Sequence, residues 1–476
     1  MYQHAGIIQK NIFLGEVPEI EPILSNQYSG LSGFYISGII ISLISNISPN
    51  KIFILPIYLV PISLIFYIIM LNLNKNKVLA ASVVFILTTF TTNISYLNFH
   101  PHGLGLLLFL LMFLFMLKLY NNINSAPIVI TIFLIIMSIN IVSYKSTFWA
   151  ITFLFCLLPL LVFNQYFLNS NKNLKKTLLH ILITSLVFTL AFNKFFYNTF
   201  ISVLSIDFTN GTERLLLTLF KTGEFDILSH CNLYYTSPDV LLNIIYLRQG
   251  IIFVFVAFFI YCLIKNHVIK RTPLSSNYLM MLSLLLMGIS NLIIYNSLGL
   301  FDIKVITLLS LFVFPILYNS STKKLITLSV LLVCVLNFGY LLLSNEYNEI
   351  QKDDNYFSYI YPSVNWYISK DSQALITKTD VLTKGYWINI MAEQNYVKYP
   401  THFNVDDVVL ITNCNENIKP PKKSIFVLNS KLPHFSITNW RIIKSWKNYQ
   451  NIITTNPNIS RVYSSSEYIS IYYVNA

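Results

Sequence analysis

The side chains that could do chemistry fall in short polar stretches between long apolar runs. The N-terminal stretch contains His4, the acidic side chains Glu16, Glu19 and Glu21, and then Tyr28. A carboxylate at the membrane surface can remove the proton from a sugar hydroxyl as a general base. We therefore take these residues as candidates for catalysis, with Tyr28 as a candidate for substrate binding. The alternative is a solvated acidic loop without chemistry.

The second polar stretch is the loop over residues 98–103, in which His100 and His102 flank Pro101. Two histidines at this spacing could hydrogen-bond a phosphate or bind a metal. A metal site normally takes further ligands, and the sequence shows none nearby. A divalent metal is therefore unsupported, and we assign no metal-binding residue. A purely structural turn is the alternative.

The third stretch is a long loop predicted over residues 207–247, which ends at Arg248 just before an apolar run. An arginine at the head of a membrane span could place two N–H donors on a lipid-linked phosphate. Its alternative role is contact with lipid headgroups. Other charged or titratable residues of this loop include Glu213, Arg214, Asp226, His230 and Asp239.

Two lysines complete the candidate set for substrate binding. Lys304 follows Asp302 at the start of another apolar run, where an interfacial ion pair is the alternative. Lys145 lies in a predicted short loop over residues 143–146. It interrupts an otherwise regular charge pattern, and for that reason we consider it functional.

Composition identifies the medium that surrounds these residues. The 476 residues are 55% hydrophobic and 11% charged, and the mean hydropathy is +0.60. One soluble core cannot enclose so much apolar surface, so lipid must solvate much of the chain. The net charge of +12 does not indicate nucleic acid as a partner. The sequence contains no Walker A, Rossmann, GxSxG or HExxH motif, so ATP-driven transport and soluble-type nucleotide-sugar chemistry have no support.

The hydropathy pattern predicts an all-α polytopic membrane bundle of about ten spans. Residues 34–47 form a shorter, glycine-containing stretch that we interpret as an interfacial or re-entrant helix. The apolar runs that could cross the bilayer are 52–71, 78–94, 103–117, 127–142, 147–163, 177–196, 250–264, 278–294, 303–317 and 325–343.

Charge gives the orientation of these spans. Lysine and arginine recur in alternate loops, and no Asp or Glu occurs between Glu21 and Asp207. By the positive-inside rule the lysine-rich loops are cytoplasmic, and the candidate residues then lie on the outer face of the plasma membrane. The lysine-rich loops are represented by Lys75, Lys118, Lys172, Lys270 and Lys324.

Beyond residue 343 the hydropathy falls and short β-like runs appear over 374–377, 408–411, 424–428 and 468–474. This pattern predicts a small α/β domain, and the last run suggests a closing hairpin after Ser464–Ser466. We divide the chain into an outer-face loop with an interfacial helix (1–51), a transmembrane domain (52–343) and an extracytoplasmic α/β domain (344–476).

Several of these features resemble archaeal-type GT-C membrane glycosyltransferases. The N-terminal part of the chain resembles the family's first outer loop and its interfacial helix. The residues that carry this resemblance are Tyr2, His4, Ala5, Gly6, Leu14, Gly15, 27–30, Gly38 and Ile47. Residues 99–104 are similar to an aromatic-rich loop that opens a span in that family. Arg248 matches an arginine that the family uses near the lipid phosphate. Three short C-terminal segments resemble the start and the end of the family's outer domain: Lys378–Asp380, Arg461–Tyr463 and Ile471–Tyr473.

The resemblance implies an activity. The enzyme would take a sugar from a polyprenyl-phosphate carrier, the lipid-linked donor, and pass it to a glycan, protein or lipid acceptor on the outer face. No cofactor is assigned, and a divalent metal stays possible without support from the sequence. Three features depart from the family: Lys304 stands where arginine is commoner, Ser464–Ser466 replace an Asp-Asn-Gly motif, and the first span with its Asp does not precede His4. We therefore expect upstream codons to encode a further span that ends in a carboxylate.

Two other functions stay open. A multispan transporter or lipid-linked glycan flippase would bury titratable groups near the middle of the membrane, whereas a glycosyltransferase would gather them in an outer cavity. The apolar runs contain no carboxylate, which favours the glycosyltransferase. A catalytically silent envelope protein is the third hypothesis.

Overall fold

The computed structural model describes residues 8, 11–12, 32–52, 55–90, 99–121, 126–168, 175–192, 239–298, 309–318 and 321–347, together with five strands between residues 377 and 474. The described helices are α1 Ser32–Ser45, α2 Pro49–Ile52, α3 Leu59–Leu73, α4 Lys77–Phe90, α5 Pro101–Asn121, α6 Ala126–Val142, α7 Tyr144–Tyr166, α8 Lys175–Phe192, α9 Asp239–Leu263, α10 Ser276–Leu298, α11 Val313–Leu317 and α12 Lys323–Tyr347. A π-helical turn, Ile264–Val268, continues α9.

Among the described residues, four helical segments are long and apolar enough to cross a membrane: Pro101–Asn121, Tyr144–Tyr166, Leu247–Val268 and Lys323–Tyr340. Six shorter apolar helices accompany them, Gly33–Ser45, Leu59–Leu73, Lys77–Thr88, Ala126–Val142, Lys176–Ala191 and Ser276–Ser290. The described part of the chain is therefore a bundle of apolar helices, which is compatible with a membrane protein.

The outside of the bundle is apolar as well as the inside. Large aliphatic side chains on four different helices are strongly exposed: Val60, Ile130, Val254 and Leu328 are 72%, 59%, 66% and 64% accessible. Water would solvate such a surface poorly, whereas hydrocarbon chains solvate it well. The helices satisfy their own backbone hydrogen bonds, as a segment in lipid must.

Half-buried asparagines tie one end of the bundle together. Asn74 Nδ2 donates to the carbonyl oxygens of Pro315 and Tyr318 at 3.0 and 3.2 Å, and Asn277 Nδ2 donates to the Leu73 carbonyl at 3.2 Å. These bonds join the end of α3, the start of α10 and the end of α11. We call this the asparagine-tied end. Several of the lysine-bearing helix termini that the charge pattern assigns to one side of the membrane lie here.

At the opposite end, aromatic rings pack α1 onto the bundle. Phe34 stacks on Phe99 with ring centroids 4.7 Å apart, and Phe99 stacks on Tyr58 at 5.9 Å. A Cβ on Gly33 would lie 2.9 Å from a side-chain carbon of Ile141, so α1 touches α6 there. The predicted helix over 34–47 is thus present as α1, whose 14 residues make it shorter than the four long segments.

Several predicted boundaries are wrong. The loop over 143–146 is absent, because Ser143 alone separates α6 from α7 and Lys145 is in the first turn of α7. The last residues of the predicted 207–247 loop are helical, since apolar residues continue α9 back to Asp239. The span predicted from residue 52 begins at Leu59, after a turn that contains Pro56. The last predicted span, 325–343, lies within α12, which begins at Lys323 and ends at Tyr347.

The described C-terminal strands form one mixed sheet in the order β2-β1-β3-β5-β4. They are β1 Thr377–Thr379, β2 Val408–Leu410, β3 Ile425–Asn429, β4 Ile459–Ser465 and β5 Ile469–Val474. β1 is parallel to both β2 and β3, whereas β5 is antiparallel to β3 and β4. Strands therefore occur at 408–410, 425–429 and 469–474, within one residue of the predicted runs. β4 and β5 form a hairpin, but Ser464 and Ser465, predicted as its turn, belong to β4. The first run is shifted, since β1 starts at Thr377.

Candidate functional site

The histidine loop forms the N-terminus of α5. His100 precedes Pro101, which occupies the first helical position that proline favours. The His100 carbonyl oxygen accepts a hydrogen bond from Gly103 N at 2.9 Å. The ring atom His100 Nδ1 accepts one from His102 N at 3.3 Å. Because Nδ1 accepts, the neutral His100 ring carries its proton on Nε2, which is thereby a hydrogen-bond donor.

Helix α7 begins beside this loop. Ser143 is its N-cap, and Ser143 Oγ accepts from Ser146 N at 3.4 Å and from Ser146 Oγ at 3.2 Å. The Ser143 carbonyl accepts from Thr147 N at 3.0 Å. This capping fixes the start of α7, so Lys145 lies in its first turn.

A glycine lets the two helix N-termini lie side by side. A Cβ on Gly105 would lie 2.6 Å from Ser143 Cβ and closer still to Ser146 Oγ. Real Cβ atoms do not approach so closely, so the α5 backbone can rest against the start of α7 only without a side chain at residue 105.

The histidines and the start of α7 make direct contact. His102 Nδ1 lies 3.4 Å from Ser143 Oγ, and the His102 ring meets Tyr144 edge to face at 5.7 Å. The centroids of His100 and His102 are 4.7 Å apart. We name His100, His102, Ser143 and Lys145 the histidine–lysine cluster.

The electrostatics of the cluster suit an anion. Two long helices point their N-termini here, and each terminus carries a partial positive charge. Lys145 adds a full charge. Burial, with the nearby positive charge of Lys145 as a smaller cause, lowers the pKa of His100 to about 3. His100 is therefore a neutral N–H donor at pH 7, and a phosphate is a ligand that such donors and helix termini bind well.

The cluster does not have the composition of a metal centre. Within the described ranges, no group of three or more His, Cys, Asp or Glu side chains could hold a metal ion. His100 Nδ1 already accepts the backbone N–H of His102.

Arg248 is located in a different interface. It is buried in α9, where its Nη1 donates to Asn337 Oδ1 at 2.8 Å. Asn337 Nδ2 in turn donates to the Ile86 carbonyl at 3.5 Å, which joins α9, α12 and α4. The guanidinium also lies 5.9 Å from the centroid of the Tyr340 ring. Arg248 is the second residue of the apolar segment Leu247–Val268, as predicted for the head of a span, but it lies inside a helix rather than after a loop.

The structure thus brings together three of the predicted substrate-binding residues, His100, His102 and Lys145. The described contacts place Arg248 with Asn337 instead. The remaining predicted residues lie outside the described residues: His4, Glu16, Glu19, Glu21, Tyr28 and Lys304.

Four residues that shape the histidine–lysine cluster and the Arg248–Asn337 contact were not predicted from the sequence. Ser143 and Ser146 repeat at the spacing of a helix N-cap directly after an apolar run, a signal that could have located the start of α7. Gly105 and Asn337 had no distinctive signal, because single small or amide residues are common inside apolar helices.

Known proteins give no further guidance. No protein-family model matches the chain, and no curated protein matches it.

Proposed function

We propose that the chain is a GT-C-like membrane glycosyltransferase that transfers a sugar from a polyprenyl-phosphate carrier to a glycan, protein or lipid acceptor. The observation that carries the proposal is the histidine–lysine cluster, in which two histidines and a lysine meet at the adjoining N-termini of α5 and α7. A phosphate is the part of a lipid-linked sugar that such a cluster would bind.

The reaction requires this kind of site on its leaving group. The acceptor oxygen forms a bond to the anomeric carbon of the sugar, and the bond from that carbon to the phosphate oxygen breaks. The electron pair stays on the polyprenyl phosphate, whose negative charge increases. Lys145, the His100 Nε2–H donor and the two helix termini would stabilise that charge.

The proton of the acceptor hydroxyl must go to a base. We assign this role to an N-terminal carboxylate, Glu16, Glu19 or Glu21, and include His4 as a further catalytic candidate. The hydrophobic helix α1 follows these residues in the chain and packs against Phe99, which directly precedes the histidine loop. This contact supports a path by which the N-terminal stretch could reach the cluster.

The topology belongs to the same proposal. We propose about ten spans in the plasma membrane, with the asparagine-tied end in the cytoplasm and the cluster and a C-terminal α/β domain outside. Support comes from the charge pattern. Lys118 lies near the end of α5 that is remote from the cluster, and Lys324 lies at the start of α12, near the asparagine-tied end. No nucleic acid takes part.

A transporter or lipid-linked glycan flippase is the second candidate, and one observation favours it. Arg248 is 4% exposed between helices. Its partner Asn337 lies three residues before the end of the apolar segment Lys323–Tyr340, so both residues are near the ends of their segments. A charge buried between the helices of a membrane protein is typical of a substrate path.

Binding of a prenyl phosphate tests the proposal. Purified protein is titrated with a short-chain prenyl phosphate and with the matching prenol, which lacks the phosphate. We expect the phosphate to bind at least tenfold more tightly in the parent, and Lys145→Gln to remove most of that difference. Lys118→Gln, which removes a lysine from the other end of α5, is the matched control and should retain it. Equal binding of the phosphate and the prenol by the parent would contradict the proposal.

A further inference from the structure

A second charged surface lies at the far end of the bundle, in the connection between α9 and α10. We propose that residues 264–273, which we call the basic turn, form a binding site for the phosphate headgroups of anionic phospholipids. This proposal is independent of the glycosyltransferase activity. It concerns residues that follow the end of α9, whereas the histidine–lysine cluster lies at the starts of α5 and α7.

The basic turn has a defined shape that its own hydrogen bonds maintain. It starts with the π-helical turn Ile264–Val268. Thr272 N donates to the His267 carbonyl at 3.0 Å, and Thr272 Oγ1 donates to the Asn266 carbonyl at 2.6 Å. His267 Nδ1 lies 3.1 Å from the Pro273 carbonyl, to which it donates. π-helical turns occur often at functional positions.

Three positive side chains project from this turn. Lys265, Lys270 and Arg271 are all exposed, and Lys265 Nζ lies 5.6 Å from the centroid of the Tyr261 ring. The sequence contains no Asp or Glu from residue 240 to residue 301. The turn therefore presents a concentrated positive charge that no carboxylate of its own segment neutralises.

Apolar side chains beside these charges point to a lipid rather than to a free anion. Ile264, Val268 and Ile269 are 46%, 40% and 72% exposed within the same ten residues. The apolar segment Leu247–Val268 has 22 residues, about 33 Å of helix, so the basic turn begins where the hydrocarbon ends. A surface with basic and apolar side chains at this depth meets headgroup phosphates and acyl chains together.

The backbone at Arg271 supports a role for its charge. Arg271 has a φ of 51°, in the left-handed region that favours glycine or asparagine. A guanidinium thus occurs at a position where the backbone alone would favour glycine or asparagine. This conformation also supplies a clean variant, because Arg271→Asn removes the charge while it suits the local backbone.

The test measures lipid preference in nanodiscs that contain full-length protein and equal amounts of phosphatidylglycerol and phosphatidylcholine. Native mass spectrometry counts the lipids of each kind that stay bound. A basic residue at a membrane surface contributes about a fivefold preference for anionic lipid. We expect Arg271→Asn to lower the preference for phosphatidylglycerol about fivefold, and the triple variant Lys265→Gln, Lys270→Gln, Arg271→Asn to lower it at least tenfold.

The matched control removes the same number of charges from lysines of the C-terminal segment, outside the apolar helices, in the variant Lys384→Gln, Lys422→Gln, Lys423→Gln. We expect the control to retain the parental preference within about twofold. An equal loss in the control would overturn the proposal, because net charge rather than the basic turn would then select the lipid. An unchanged preference in both variants of the turn would overturn it as well. Displacement of the lipid by inorganic phosphate at similar concentration would indicate a free-anion site instead.

Discussion

Gly105 offers a direct test of how closely the two helix N-termini approach each other. A Cβ added at this position would lie 2.6 Å from Ser143 Cβ, well inside the contact distance of two carbon atoms. The start of α7 cannot withdraw easily, because α6 precedes it after one residue and Ser143 caps it. Gly105→Ala should therefore push α5 and α7 apart.

The magnitude follows from two opposing effects. Overpacking a well-packed site typically costs about 1–3 kcal/mol. Replacing a helical glycine by alanine typically gains up to about 1 kcal/mol. We expect Gly105→Ala to lower the free energy of unfolding by about 1–2 kcal/mol. The separated helix termini should also bind a prenyl phosphate several-fold more weakly.

The assay is thermal unfolding of purified protein in one detergent, with prenyl phosphate binding measured in parallel. Gly339→Ala is the matched control, since nothing lies within 4 Å of the Cβ that it would add in α12. The control should be as stable as the parent or slightly more stable. If Gly105→Ala melts at or above the parental temperature and binds normally, the close approach of α5 and α7 is refuted.

Three further predictions concern other parts of the bundle. Asn164 bonds to Tyr120 OH and to both backbone groups of Leu274, so Asn164→Leu should lower the free energy of unfolding by about 1–3 kcal/mol, whereas the exposed Asn72→Leu should not. This is measured by thermal melting, and equal effects would contradict it. Because the pKa of His100 is lowered to about 3, the unfolded chain binds the extra proton first as the pH falls. Melting temperature should therefore decrease from pH 7 to pH 4, and His100→Gln should flatten that decrease; an unaltered slope would contradict it. The role on a lipid phosphate that the sequence predicts for Arg248 implies that Arg248→Lys lowers turnover of a polyprenyl-phosphate sugar while the fold persists, because lysine lacks the planar guanidinium; turnover equal to the parent would leave Arg248 as a structural link to Asn337.

Long, strongly periodic features could be predicted from the sequence. Apolar runs gave the α5, α6 and α8 starts within about two residues, because hydrocarbon-length runs leave little freedom. The predicted helix boundaries were wrong where local capping hydrogen bonds determine the start of a helix. Ser143 starts a helix where a loop was expected, since a capped turn needs only one residue between α6 and α7.

The candidate site could be predicted only in part. Residue type singled out His100, His102 and Lys145, but sequence could not show that they meet, because their contact depends on the absence of a side chain at Gly105. Arg248 was singled out for its charge, and its partner Asn337 follows 89 residues later. No local pattern connects two residues so far apart in the chain.

The most direct test of the central claim is formation of polyprenyl phosphate from a polyprenyl-phosphate sugar by the reconstituted protein. The reaction is followed by chromatography of the lipid product, with a soluble acceptor supplied outside the vesicles. We predict that product accumulates with the parent and with Lys118→Gln, and falls at least tenfold with Lys145→Gln. No product from the parent, or equal amounts from the parent and Lys145→Gln, would contradict a glycosyltransferase that uses the histidine–lysine cluster.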